Sequence, residues 1–151
     1  MRAGYRSLFF APLLALGLTA ASAFASEQQP PDFQACIDRT ENAKGAVVQA
    51  MLACQDESIR YWDNRLNANY RKAREICAAA SEPEECRQKL QRAERLWIQY
   101  RDAMSEAFDQ VSPGMGLGAM PSRSAVRRIT QHQAEELDFF IRQGDELRET
   151  N

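Results

Sequence analysis

From Ala46 onward, apolar and small positions recur at steps of three and four: Val47, Ala50, Met51, Cys54, Ser58, Tyr61, Trp62, Leu66, Tyr70, Ala73, Ile76 and Cys77. That spacing places them on one face of an α-helix. No Pro or Gly interrupts the run before Pro83, so a helix of about 50 Å, ending near Ala79, is predicted. Its opposite face carries Gln55, Asp56, Arg60, Asp63, Asn64, Arg71 and Glu75 and is expected to be exposed.

Ser81-Glu82-Pro83-Glu84 then signals a turn and a new start. Ser81 can cap the next helix with Glu84 as reciprocal partner. Pro83 suits a first turn, and Glu82, Glu84 and Glu85 suit the positive end of the helix dipole. The second long stripe is Leu90, Ala93, Trp97, Tyr100, Met104, Ala107 and Phe108, closed by Ser112-Pro113-Gly114. A last helix starts at Ser122 or Ser124, carries Val126, Ile129, Gln133, Leu137, Phe140 and Ile141, and frays after Gly144. A short helix over about Asp32 to Thr40 precedes them all. No segment alternates with period two. The expected fold is therefore all-α, an antiparallel helical bundle with one short and three longer helices.

The first 25 residues differ from the rest. Arg2 and Arg6 are followed by an apolar run from Leu8 to about Leu18 and by Ala23-Phe24-Ala25. This order matches a cleaved signal peptide over residues 1–25. The run is too short to span a bilayer, and Pro12 and Gly17 interrupt it. Residues 26–35 read as a flexible, proline-rich lead-in, and residues 36–148 as the folded domain. No later apolar segment is long enough to span, so a soluble, periplasmic product is expected.

Charge narrows the partners. The chain has 19 basic and 21 acidic side chains. Removing residues 1–25 removes two arginines and no acid, so 17 and 21 remain, a net charge near −4. Nucleic acid, which needs a clustered basic face, is disfavoured. Cationic partners are weakly favoured.

Four cysteines in a short exported chain point to two disulfides. No C-x2-C clasp is present and His132 is the only histidine, so no metal and no cofactor are expected. The pairing follows from the helix. Cys54 and Cys77 lie about 35 Å apart on one continuous helix, while a disulfide needs Cα atoms within about 7 Å. Cys86 sits at the hairpin beside Cys77, so it cannot reach Cys54. Cys36–Cys54 and Cys77–Cys86 remain. The first bridge requires a reversal between Thr40 and Gly45, with Asn42 and Gly45 as turn formers.

Nothing assembles a nucleophile and a base: there is one His, no cysteine left free and no Gly-x-Ser-x-Gly. The acids fall on exposed helix faces, where little would shift their pKa. No catalytic residue and no enzyme activity are expected. Trp97, Tyr100 and Tyr70 are assigned to core packing. The segment 113–121 is rich in Gly yet carries Met115, Leu117 and Met120, adaptable apolar side chains that suit a partner contact.

Cys36, Cys54 with Glu57, Leu66-Asn67-x-x-Tyr70 and Trp97-Ile98-x-Tyr100-Arg101-Asp102-Ala103 together resemble the LprI-type lysozyme-inhibitor domain, over about residues 36–140. The resemblance implies an exported, disulfide-bonded helical protein that inhibits lysozyme or a related muramidase by occupying its cleft. A non-inhibitory envelope interaction or stress module is the alternative. It also implies that Arg101 and Asp102 form a buried or half-buried network between helices, with Asn67 and Glu57 as partners, or take part in recognition. One departure stands out. The family commonly has a Cys two residues after the Ala of the W-I-x-Y-R-D-A run, bonded to another beyond the Gly-rich loop. Here that position is Ser105, and no Cys follows.

Overall fold

The structure, a computed structural model, describes residues 33–41, 45–111 and 120–150. The signal segment 1–25, the lead-in up to 32, Asn42, and Met115 and Leu117 lie outside the described residues. Among the described residues there are four helices and no strand: α1 (Phe33–Thr40), α2 (Val47–Ala78), α3 (Pro83–Val111) and α4 (Met120–Glu149). The all-α bundle of one short and three long helices is as the periodicity requires.

α2 is the spine. Its buried positions Cys54, Ser58, Trp62, Leu66, Asn69, Ala73 and Cys77 recur at steps of three and four, and its largest interface is with α4. The central core joins Trp62, Leu66 and Ala73 of α2 to Ala134 and Leu137 of α4, with Tyr61, Tyr70, Leu90, Trp97 and Ile141 packed around it. Several contact positions are small, so the two backbones approach closely: Ala73, Ala134, Ser58 and Thr130 are all shut from solvent. Asn69 Nδ2 donates to the carbonyl oxygen of Ala134 at 2.9 Å, a buried bond from α2 to α4.

Both bridges are those derived from helix geometry, Cys36–Cys54 with Cα atoms 5.8 Å apart and Cys77–Cys86 with Cα atoms 5.3 Å apart. Gly45 has φ 77°, a left-handed backbone that folds α1 back onto α2. Pro83 is the first residue of α3, so Glu82 rather than Ser81 stands at the cap position.

Further expectations need correction. α4 begins at Met120, ahead of Ser122 and Ser124. α4 does not end at Gly144 but runs to Glu149. Gly144 packs on Ile76 of α2, and a Cβ there would collide with Ile76 Cγ2. The glycine is a crossing point inside the helix, not its stop. Gln55 is buried and Asp56 half-buried, although the pattern assigned both to the exposed face. α4 covers them, and its Met120 and Arg123 supply their partners. Tyr100 is 55% exposed rather than in the core. It sits three residues from Trp97, which turns it about 60° around the helix, beyond the edge of the buried stripe.

Candidate functional site

α3 is amphipathic for clear reasons. Pro83 opens it, Glu84 and Glu85 occupy its first turn, and its apolar side chains recur with helical spacing. Yet none of its residues is fully buried. It lies along α4 more than along α2, and only Leu90 and Trp97 of its stripe pack on the central core. Between α3 and α4 runs an open groove of about 630 Å³. Trp97, Tyr100, Met104 and Phe108 form its α3 wall, and Ala125, Arg128, Ile129, Gln131, His132 and Glu135 its α4 wall. One wall is aromatic and apolar, the other largely polar, a composition typical of surfaces that bind.

Trp97 anchors the site. Its ring is half-buried, and its Nε1 is shut from solvent with no hydrogen-bond partner among the described residues. The Arg101 guanidinium stacks over the ring at 5.0 Å from its centroid.

Arg101 and Asp102 do pair: Nε and a terminal nitrogen of Arg101 donate to Asp102 Oδ1 at 2.9 and 2.7 Å. The pair is local to α3, however, and Asp102 is exposed. It does not tie helices together. Adjacent residues point about 100° apart on a helix, so Arg101 covers Trp97 while Asp102 faces water. Asn67 is engaged within its own helix, donating to the carbonyl and carboxylate of Asp63, and Glu57 is exposed.

On α3 the inward-facing acid is Glu94, which no sequence pattern singled out. It is half-buried between helices and accepts from Gln133 Nε2 of α4 at 3.0 Å. Burial raises its pKa from the ordinary glutamate value, and nearby Asp63 adds to this. The Gln133 bond and the Arg101 charge oppose the shift. The acids were expected to lie on exposed faces, and Glu94 departs from that because it occupies a flank of α3 that α4 covers.

A second polar cluster holds the start of α4. Arg123 pairs with Asp56 of α2. Arg127 Nε donates to Gln55 Oε1 at 3.1 Å, and the Arg127 guanidinium lies 4.4 Å from the centroid of the Phe33 ring of α1. Burial lowers the Arg127 pKa, with Arg128 adding repulsion. Gln55 Nε2 in turn donates to Met120 Sδ at 3.8 Å. Met120 is only 9% exposed, so it clamps α4 to α2 rather than being offered outward. The periodicity placed Gln55 and Asp56 on the exposed face and singled out neither Arg123 nor Arg127. The available signal was their polarity at positions one step off an apolar stripe.

His132 is exposed and lies 3.7 Å from Glu136, one turn on. Among the described residues no group of three or more His, Cys, Asp or Glu could hold a metal ion, and no helix is long and apolar enough to cross a membrane. This surface brings together aromatic side chains, a stacked cation and an exposed carboxylate.

A family model described as "Lysozyme inhibitor LprI" matches residues 39–137, from the last turn of α1 into the second half of α4 and about two thirds of the chain. No curated protein and no solved structure matches.

Proposed function

We propose that this chain, which belongs to the LprI lysozyme inhibitor family, is exported to the periplasm and inhibits a lysozyme or related muramidase by occupying its cleft. The observation that carries this reading is the family match across α2, α3 and the first half of α4. These are the helices that build the α3–α4 surface. The inhibitor family accords with a binding protein rather than an enzyme.

The physical chemistry agrees with a cationic protein partner. Lysozymes are usually basic, and the chain without residues 1–25 keeps 17 basic and 21 acidic side chains. The contact we propose is the Arg101–Asp102 edge of α3. There Asp102 is exposed and Arg101 is held in place by the Trp97 ring. A held cation–carboxylate pair loses less conformational entropy on binding than two free side chains. Met115 and Leu117 of the connection between α3 and α4 are proposed as further contacts on the basis of composition.

The test is a turbidity assay of cell-wall lysis by a cationic lysozyme, with and without the purified disulfide-bonded protein. Dose-dependent protection supports inhibition. Lysis unchanged at high molar excess would instead favour a non-inhibitory envelope module. Export is checked separately by intact mass of periplasmic material, where a chain beginning near Ser26 is expected.

A further inference from the structure

α3 carries a second apolar stripe that stays exposed among the described residues. Ala93, Leu96, Tyr100, Ala103 and Ala107 follow each other at steps of three, four, three and four, and all five are exposed. Leu96 and Tyr100 are 54% and 55% exposed, and Val111 just beyond is 73% exposed. The Trp97 and Met104 side of the helix faces α4, and the stripe runs along its edge, with Tyr100 also lining the α3–α4 groove. A 3–4–3–4 repeat is the seam by which one helix packs along another.

The charges beside the stripe say which helix. Arg92 and Glu106 are both exposed and flank the seam on its solvent side, fourteen residues apart and equidistant from Gln99. Neither is in an ion pair among the described residues. A purely cationic partner would meet Glu106 well and Arg92 badly. An α3 laid antiparallel satisfies both at once, because a two-fold axis near Gln99 sets Arg92 of each copy beside Glu106 of the other. Parallel pairing would set like against like. The apolar layers agree: about this axis Leu96 of one copy falls on Ala103 of the other and Ala93 on Ala107, while the two Tyr100 side chains meet beside the axis. On the α4 side of the same groove, Arg128 and Glu135 stand seven residues apart around Gln131 and His132, beside Tyr100.

We propose that the protein forms a symmetric antiparallel dimer through the α3 stripe Ala93–Leu96–Tyr100–Ala103–Ala107. The contact is 15 residues long, about 22 Å. That is small beside a standard interface of about 1,600 Å², so the dimer is weak and concentration-dependent.

Sedimentation equilibrium of the disulfide-bonded chain from about 10 µM to about 1 mM tests this. A monomer–dimer equilibrium is expected. Tyr100→Glu or Leu96→Glu should abolish it with the melting curve kept, whereas Leu147→Glu, at an exposed apolar position on α4, should leave it unchanged. Arg92→Glu and Glu106→Arg should each weaken the dimer roughly tenfold at low salt, and the double reversal should restore it. A monomer at every concentration overturns the proposal. So does a dimer indifferent to Tyr100→Glu, or a double reversal no better than the singles. A chain that stays monomeric yet loses lysozyme inhibition on Tyr100→Glu would assign this face to the muramidase, and would equally overturn the dimer.

Discussion

Gly144 of α4 lies so close to Ile76 of α2 that a Cβ on it would occupy the space of Ile76 Cγ2. The missing side chain is what lets the second half of α4 close onto the end of the spine, beside the Cys77–Cys86 bridge. By propensity alone, Gly144→Ala would favour the helix by about 1 kcal/mol. Here overpacking dominates, and a net loss of roughly 1–3 kcal/mol is expected in chemical denaturation. Ile76→Ala in the same chain should recover part of it, as a double-mutant cycle would show. Simple addition of the two single losses would place the glycine elsewhere.

Asn69 makes a side-chain bond from α2 to the α4 backbone in the core, to the Ala134 carbonyl at 2.9 Å. Asn69→Leu is expected to cost about 1–3 kcal/mol, from the lost bond and from forcing a branched side chain between two close backbones. Thermal melting measures it. A variant as stable as the parent would mean the bond only replaces one to water.

Glu94 sets a pH dependence. Its folded pKa is raised, first by burial, so between its ordinary and its raised value the native state holds more proton than the unfolded chain. Stability from this group is then largest below the ordinary glutamate range and declines as pH climbs through the raised value. Glu94→Gln keeps a partner for Gln133 and should flatten that decline, so the variant gains on the parent at neutral pH. Melting temperatures at pH 4 and pH 7 decide it. An equal offset at both would assign the effect to packing.

The two bridges should separate by loop size. Cys36–Cys54 spans 18 residues and Cys77–Cys86 spans 9. Loop-closure entropy assigns them about 3 and about 2.5 kcal/mol. Double serine replacement of either pair should lower the unfolding midpoint, slightly more for the first. Replacing Cys36 and Cys54 should also detach α1, visible as lost helical signal below the main transition.

For inhibition, Asp102→Lys reverses the charge of an exposed group at the proposed edge and should weaken lysozyme inhibition at low salt without moving the melting temperature. Met115→Ser with Leu117→Ser should weaken it further if the connection also makes contact. Met120→Ser tests something else. That side chain is buried against Gln55, so the substitution should act through stability. Unchanged inhibition in the folded Asp102→Lys and Met115→Ser/Leu117→Ser variants would move the contact to another surface.

The sequence by itself determined the helices and the bridges. A helical stripe repeats every three or four residues whatever it packs on, and Pro83, Gly45 and the first-turn acids act within a few residues of themselves. The disulfide pairing followed because one rigid 32-residue helix keeps Cys54 away from Cys77. What only the tertiary structure decided is how far round each helix burial extends. An apolar position is equally apolar on a covered and an uncovered flank, so Trp97 and Tyr100 read alike until α4 is seen to cover one and leave the other in water. The same holds for polar groups. Gln55, Asp56 and Glu94 read as solvent-facing because their partners, Met120, Arg123 and Gln133, are 39 to 67 residues away. Gly144 read as a helix end because a glycine's local preference is visible in sequence, whereas the side chain that needs its space belongs to another helix.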